Sequence, residues 1–461
     1  MTDARPWFSG TKALVVGVAR SGLAAARLLR RHGADVRAID RRKPDELGRA
    51  AEELTAMGAA PMLGTMDPSA LDGRDLVVPS PGVPLDLPLF REAERRGIPV
   101  AAEVEIGFAV ARAPIAAVTG TNGKSTTVEL LGAMGRAAGR RTEVVGNIGL
   151  ALSEKAEEVP EDGLLVVEIS SFQLEACTRF RPKAGVLLNV TPDHLDRHGT
   201  MEHYAALKAR LFAQQTEEDY RVQPLADAGL TALLRSMRSE PLWFGFTDPT
   251  GDGVWEAGGQ LRYRFAGDQG TLLPRAEAAL PGPHNTENMS AAAAAALAVG
   301  LPPRAIATAI RDFKGLPHRL AFVAEIEGVR YVNDSKSTNV DSLRRALESY
   351  AEPITLIAGG RDKNGDFGAI RPLVMERVRT VVLVGEAAGT IERAWPGVAA
   401  RRAATLEDAV AAAADATPAG GLVLLSPGCA SYDMFRNFEE RGARFEAAVL
   451  ARKRSREKVK R

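Results

Sequence analysis

Eight short runs of apolar residues constrain the fold of this chain more than any other feature. They lie at residues 13–16, 76–78, 115–118, 164–167, 185–190, 354–358, 380–384 and 422–425. Each is apolar along its length rather than alternating, so each reads as a strand buried on both faces. Such strands need helices packed above and below, and the segments between the runs carry helical spacing. The expected class is therefore α/β, with mainly parallel sheets covered by helices. Each run ends in a loop containing Gly, Ser, Asn or Glu. In sheets of this kind ligands bind at the carboxyl ends of the strands, so those loops are where function is expected.

At 461 residues the chain is too long for one core and is expected to form two or three domains. Turn-like stretches at 111–114 and 313–317 separate complete αβ patterns, which divides the chain into 1–110, 111–314 and 315–461. Residues 220–273 are rich in Gly, Asp and Trp and poorly periodic, and an irregular β excursion is expected there. With 45% hydrophobic and 25% charged residues the chain reads as soluble and globular. A net charge of +1 creates no global field toward nucleic acid or membrane, and the basic ending ARKRSREKVKR (451–461) is expected to be a frayed, solvated tail. The two cysteines, Cys177 and Cys429, read as buried thiols of a reducing compartment. The opening residues contain no apolar signal core, and the most apolar stretch, 291–301, is too short to span a bilayer. A cytoplasmic protein is expected, without membrane insertion.

Three stretches carry chemistry. Residues 13–22, ALVVGVARSG, end a strand at Gly17 and start a helix near Ser21, with Asp40 following 18 residues beyond Gly22. This is nearly a dinucleotide fingerprint, although Ala19 replaces the middle glycine. A nucleotide-like ligand is favoured over an ordinary βα turn, because a helix N-terminus attracts phosphate. Ser80-Pro81-Gly82 follows a second strand and should lie on the same rim.

Residues 115–127, IAAVTGTNGKSTT, run from an apolar strand through Gly120, Thr121, Asn122 and Gly123 to Lys124, Ser125 and Thr126 at a helix start. Successive backbone N–H groups there form an anion cradle, and Lys124 supplies a cation for the outer phosphates. The hydroxyl of Ser125 or Thr126 can hold Mg²⁺. The spacing is GxxGKS, since Val118 stands where the longer phosphate-loop motif has its first glycine. Downstream, Glu168 ends a strand in LLVVEISS and His194 lies just past another in GVLLNVTPDHLDRH. A carboxylate, an imidazole and phosphate oxygens make a plausible Mg²⁺ shell, with Asp193, Asp196 and His198 as competing ligands. Lys208 sits in an amphipathic helix (YAALKARLF, 204–212), and spacing alone reads it as a solvated lysine.

Several motifs in order carry a resemblance to a known family. They are GTNGKST (120–126), GNIG (146–149), EISSFQLE (168–175), NVTPDHLDRH (189–198), HNTEN (284–288), GLPHR (315–319), NDSKSTNVDS (333–342), GGRDKNGDF (359–367) and SPGCASYDMFRNFEERG (426–442). Through them the chain, from about residue 10 to 450, resembles the Mur ligases, and the last two point to the member that acts with D-glutamate. The resemblance implies three domains: an N-terminal Rossmann-like one, a central one like a P-loop ATPase, and a C-terminal Rossmann-like one. It implies an ATP-dependent enzyme that joins D-glutamate to UDP-N-acetylmuramoyl-L-alanine, with two Mg²⁺ ions, acting as a monomer.

Residue by residue, Ser21, Asp40, Ser80 and Gly82 would bind the UDP part, and Asn147 the muramoyl part. Lys124 would contact the terminal phosphates, and Glu168 and His194 would bind Mg²⁺. Lys208 would be carbamylated and support a second Mg²⁺. Asn285 and Asn288, three apart at a helix start, would meet the adenine side, with Arg319, Asp334 and Lys336 closing on ATP. Thr338, Lys363, Ser431 and Phe438 would frame D-glutamate, although Ser431 also reads as a helix cap. VQPLADAG (222–229) departs from the Asn-x-Asp-Asp stretch common in the family. Three rival readings are another Mur or folylpolyglutamate-type amide ligase, a nicotinamide-dependent oxidoreductase and a non-catalytic nucleotide-sensing protein. For the first, a folylpolyglutamate synthetase leaves the extra N-terminal αβ segment unexplained; the second leaves GTNGKST unexplained, and complete ATP turnover would exclude the third.

Overall fold

The structure, a computed structural model, describes residues 5–459, the side chains of Asp196, Lys458 and Val459 excepted. Every apolar run named above is a strand, and the strands form three sheets. The first contains β1 (Lys12–Val16), β2 (Asp35–Asp40), β3 (Ala60–Leu63) and β4 (Leu76–Pro79), all parallel, in the order β3-β2-β1-β4. The chain winds outward from β1 to β3 and then crosses to β4 on the other side. A crevice of the kind that holds ligands therefore opens at the carboxyl ends of β1 and β4. Gly17 and Ser80 stand there.

The second sheet has nine strands: β5 (Ile115–Thr119), β6 (Thr142–Gly146), β7 (Leu164–Glu168), β8 (Ala184–Leu187), β9 (Tyr220–Pro224), β10 (Glu240–Gly245), β11 (Gly253–Ala257), β12 (Gln260–Phe265) and β13 (Asp268–Pro274). Their order is β13-β12-β11-β10-β9-β8-β5-β7-β6, parallel except at β11–β12 and β12–β13. In β7, Leu164, Leu165, Val166 and Val167 are wholly buried. Each contributes about 1.5–3 kcal/mol relative to an exposed side chain. The third sheet contains β14 (Ala321–Ile326), β15 (Val329–Asn333), β16 (Ile354–Gly359), β17 (Val378–Val384), β18 (Ala399–Arg402) and β19 (Leu422–Leu425), in the order β14-β15-β19-β16-β17-β18. Only the β14–β15 pair is antiparallel.

Two expectations need correction. Residues 220–273 are not an irregular excursion: β9, β10 and β11 extend the parallel part of the second sheet, and β12 and β13 close it as antiparallel strands. A helix, Ala228–Leu234, begins at Asp227, whose side chain accepts from the Leu230 N–H at 2.9 Å. These strands contain polar residues such as Arg221, Gln223, Arg262 and Arg264 and are not buried along their whole length, so the uniform apolar signal is missing. The basic ending is likewise not frayed through its length. The helix Phe438–Val459 buries Phe445 and Val449 on the third sheet and continues through residues 451–459, with Arg452 paired to Asp415 at 2.9 Å. Lys460 and Arg461 lie outside the described residues. Cys177 and Cys429 are buried and unbridged, as expected. Among the described residues no helix is long and apolar enough to cross a membrane.

The chain forms two compact units. The first holds the chain to Ala278 together with Glu287–Asp312, and the second holds Ala279–Thr286 and the chain from Phe313. Within the first unit, two buried carboxylates of the helix Glu103–Phe108 tie the first sheet to the second. Glu103 accepts from the N–H and Oγ of Ser153 at 2.7 and 2.6 Å, and Glu105 accepts from the N–H groups of Thr178, Arg179 and Phe180. Burial pushes both carboxyls up, and these hydrogen bonds oppose it.

In the second unit Asp334 joins the carboxyl ends of β15 and β19. Its N–H donates to the Leu425 carbonyl at 2.8 Å, Ser426 Oγ donates to its carboxylate at 2.9 Å, and the Leu320 N–H does so at 3.2 Å. Burial outweighs these bonds and the nearby Arg319 and Arg441, and pushes the carboxyl up to about 7. The folded-state value is raised, so the stability linked to this group is present below about pH 4 and is lost as pH rises through about 7. Asp334→Asn removes the titration. Thermal melts at about pH 5 and about pH 8 should show the variant gaining on the native chain at the higher pH; a gap independent of pH would contradict this.

Candidate active site

The sequence places Gly120–Thr126 directly after β5, and the sheet order puts β5 between β7 and β8. The turn depends on glycine at Gly123, where φ is +91° and a Cβ would lie 2.3 Å from Asn288 Oδ1. The helix Lys124–Ala137 follows at once, so its N-terminal N–H groups open onto the loop. Lys124 Nζ folds back and donates to the carbonyls of Gly120 and Thr121 at 2.9 and 2.8 Å.

The other side of the loop is held by residues that sequence reasoning did not single out. Asn189 follows β8, and its side chain accepts from the Asn122 N–H at 2.9 Å and donates to the Asn122 carbonyl at 3.1 Å. This two-way amide pair imitates strand pairing. It explains why β8 stops at Leu187 although the apolar run reaches 190. Thr121 Oγ1 accepts from the Thr191 N–H at 3.0 Å and lies 3.3 Å from the Tyr204 hydroxyl. The available signal was Asn-Val-Thr directly after a strand.

Glu168 ends β7 on the opposite flank. One carboxylate oxygen accepts from Asn147 Nδ2 at 2.9 Å; the other, Oε2, is buried without a hydrogen-bond partner. An unmatched buried carboxylate oxygen is costly, and a cation would satisfy it. Thr126 Oγ1 is likewise buried and unmatched, and Ser125 is buried beside it. His194 adopts a left-handed backbone, φ +54°, with Nε2 3.7 Å from Asp193 Oδ2. His198 turns away into the protein, 3.0 Å from Ser171 Oγ, and burial lowers it to about 4, so it is neutral near pH 7. Asp196's side chain lies outside the described residues. Among the described residues no three His, Cys, Asp or Glu side chains gather as a metal cluster.

Lys208 overturns the solvated reading given by spacing alone. It is 1% exposed, and Nζ donates to the Gly120 carbonyl at 2.8 Å. Burial, and then the charge of Lys124, lowers its pKa well below the usual lysine range. A buried lysine held toward its neutral form is a nucleophilic amine.

In the first sheet, Asp40 is engaged by its own turn. It accepts from the N–H groups of Val18 and Arg42 at 2.7 and 2.9 Å and from the Arg42 guanidinium at 2.8 and 3.0 Å. Burial alone would raise its pKa, but these bonds win and hold it at about 2. Ser80 Oγ donates to the Gly17 carbonyl at 2.7 Å, and a Cβ at Gly22 would lie 2.0 Å from that oxygen. Ser21 is half-buried beside this turn, and Gly82 is exposed with open space around it. A small cavity lies between Ser80, Pro81 and Glu103 on one side and Phe172 and Gln173 on the other.

Asn288 Oδ1 lies 3.4 Å from Thr127 Oγ1 in the first unit, while Asn285 belongs to the second and donates to the Pro281 carbonyl at 2.7 Å. Also in the second unit, Lys336 Nζ lies 5.5 Å from the Phe438 ring centroid. Arg319 is half-buried near Asp334, Thr338 is half-buried, and Lys363 is exposed on the loop after β16. Ser431 is buried in a turn and does not cap a helix, since the next helix starts only at Phe438. The buried Arg441, also missed in the sequence, donates to the carbonyls of Ser335 and Cys429 at 2.7 and 3.1 Å. It thereby ties the loop after β15 to the loop after β19.

Comparison with known proteins agrees with this architecture. Residues 11–102 match the family description "Mur ligase MurD-like, N-terminal domain", residues 118–296 "Mur ligase middle domain", and residues 318–429 "Mur ligase, glutamate ligase domain". A protein of Pelotomaculum thermopropionicum named UDP-N-acetylmuramoylalanine--D-glutamate ligase is 46% identical over 450 residues, covering 97% of this chain and 99% of that protein. A protein of the same name from Acidobacterium capsulatum is 43% identical over 96% of each chain. Among solved structures, MurF ligase from Thermotoga maritima in complex with ADP aligns with a TM-score of 0.58 at 18% identity, over 98% of this chain and 100% of that one. That likeness is one of fold. With full-length relatives well above 30% identity and three family domains matched in order, the chain belongs to the Mur ligase family.

Proposed function

We propose that this chain is an ATP-dependent ligase that forms the amide bond between UDP-N-acetylmuramoyl-L-alanine and D-glutamate, in the cytoplasmic synthesis of peptidoglycan precursors. The observation that carries this is the phosphate loop after β5, flanked by Glu168 and the buried Lys208, in a chain whose full-length relatives bear that reaction in their names. Residues 1–110 hold the UDP part of the substrate through Ser21, Ser80 and Gly82, with Asp40 bracing the glycine turn, and Asn147 of the central segment meets the muramoyl part. Residues 111–314 bind ATP, and residues 315–461 present D-glutamate.

ATP phosphorylates the carboxylate of the UDP-linked substrate, giving an acyl phosphate and ADP. The amine of D-glutamate attacks that carbonyl carbon, and phosphate leaves. Gly120–Thr126 cradle the phosphates, and Lys124 leaves its loop carbonyls to neutralise the transferring group. Asn285, Asn288, Arg319, Asp334 and Lys336 complete the nucleotide contacts. Thr338, Lys363, Ser431 and Phe438 receive D-glutamate. Ser125, Glu168, His194 and a carbamate on Lys208 would hold two Mg²⁺ ions, which supply charge neutralisation for the phosphates. The unmatched oxygen of Glu168 supports that assignment. The depressed pKa of Lys208 supports the carbamate, because a neutral amine adds CO₂ and exchanges a positive group for a negative one.

Sustained multiple-turnover ADP release, followed in a coupled assay, should require UDP-N-acetylmuramoyl-L-alanine and D-glutamate together; equal turnover with L-glutamate, L-alanine or a folate would sink the assignment. Thorough removal of CO₂ should lower the rate, and Lys208→Arg should abolish it, since arginine cannot carry this carbamate. Full activity in Lys208→Arg would end that role. Lys363→Ala should lower kcat/KM for D-glutamate by about 30-fold or more, equivalent to about 2 kcal/mol for a stranded carboxylate. Acyl phosphate formation without D-glutamate should survive in this variant and disappear in Lys124→Ala. Unchanged D-glutamate kinetics would mark Lys363 as an ordinary exposed loop lysine.

A further inference from the structure

Arg441 is 1% exposed, and every nitrogen of its guanidinium has an acceptor. Nε donates to Ser335 Oγ at 3.0 Å, Nη2 to the Ser335 carbonyl at 2.7 Å, and Nη1 to the Cys429 carbonyl at 3.1 Å. Ser335 Oγ in turn donates to the Phe438 carbonyl at 2.8 Å, at the start of the helix that carries Arg441. The loop after β16 joins from another side. Arg361 and Ala430 exchange backbone hydrogen bonds of 2.9 Å, and a Cβ on Gly360 would lie 3.2 Å from the Arg441 Nη1 atom. One side chain thus bridges the loop after β15 and the loop after β19, with the loop after β16 packed against it.

A buried arginine is a costly way to fill this space. Its acceptors are two carbonyls and a hydroxyl, none of them a carboxylate. Burial lowers its pKa to about 10, so it is still charged near pH 7. A well-packed apolar side chain of similar volume would avoid that desolvation. What arginine adds is a planar fork, whose donors meet several acceptors at fixed angles. The fork fixes the spacing of the two loops it bridges. Thr338 follows Ser335 closely on one, and Ser431 follows Cys429 closely on the other.

We propose that Arg441 is a positioning residue for the incoming amino acid: by bridging Ser335 and Cys429 from behind, it sets the separation of Thr338 from Ser431, and with it the fit of a dicarboxylate amino acid between them. This rests on the reading that Thr338 and Ser431 receive D-glutamate. A displacement of about 1 Å at such a site can cost a factor on the order of 100 in rate, even when its cause lies away from the substrate.

The test is a double-mutant cycle on the full chain, read as kcat/KM for D-glutamate at saturating ATP and UDP-N-acetylmuramoyl-L-alanine. Arg441→Lys keeps the charge but replaces the fork by a single nitrogen, and should lower kcat/KM by about tenfold or more. Ser335 lies between Asp334 and Lys336, so nucleotide kinetics can shift with it and are not the control. The control is calorimetric binding of UDP-N-acetylmuramoyl-L-alanine without ATP, which uses residues of the first unit and should stay within about twofold. In a Ser431→Ala background the loss caused by Arg441→Lys should shrink by at least about threefold, because the residue it places is gone. A role confined to folding would lower the amount of active protein by the same factor in both backgrounds. Native D-glutamate kinetics in Arg441→Lys, or an equal loss in the two backgrounds, overturns the proposal. If Arg441→Lys fails to bind the UDP-linked substrate and so does not fold, Ser335→Ala decides by the same cycle, since it removes the acceptor of Nε and leaves both carbonyls. Native D-glutamate kinetics in Ser431→Ala alone overturns the reading of the amino-acid site together with the proposal, and that failure is visible without any change at Arg441.

Discussion

β5 is hydrogen-bonded to β7 on one side and to β8 on the other, all three parallel. Parallel pairing aligns their carboxyl ends on a single edge of the sheet. The loop that follows each strand must then emerge beside the other two. Gly120–Thr126, Glu168 with Ser171, and Asn189 with Thr191 are separated by 20 to 70 residues in the chain but meet here for this reason. Helices packed on both faces bury the strands and leave that edge as the open one. The register Val118↔Glu168 decides the flank on which the carboxylate stands.

Charge at this edge is organised around the Gly120 carbonyl, which accepts from both Lys124 and Lys208. Two ammonium groups on one oxygen repel, and the buried one yields. Burial and the neighbouring cation act in the same direction on Lys208. On the opposite flank a buried carboxylate oxygen of Glu168 has no donor. An amine short of positive charge and a carboxylate short of a partner form an unbalanced pair of environments, which a purely structural role would not require. Asp40 is the contrast. It is also buried, but every oxygen is met by a donor, and its pKa falls to about 2. It therefore braces a turn.

Much of this was legible along the chain, and the failures have physical causes. Strands buried on both faces announced themselves because uniform apolarity has no other common use. The phosphate loop was legible because glycine is demanded locally, at Gly123 by a left-handed backbone and by Asn288 pressing on it. β9 to β13 were not legible, since strands carrying polar residues give only weak short-range patterns. Lys208 was misread by spacing because helical periodicity shows that a face exists but not what it faces. Asn189 and Arg441 left almost no trace, because each acts through partners distant in sequence, and His198 was visible only as a competing metal ligand, not as a buried ring against Ser171.

The sequence by itself determined the α/β class, the strand-loop-helix unit that binds phosphate, the order of the family motifs and the absence of a long apolar span. All of these follow from interactions among residues within a few positions of one another, or from composition. Only the tertiary structure decided that β5 sits between β7 and β8, that Lys208 is buried against Gly120, that Asp40 is already satisfied, and that His198 stacks inside the protein and does not join His194. Those outcomes depend on which distant segments become neighbours. Long-range strand pairing and burial settle that, and no local pattern of residues encodes it.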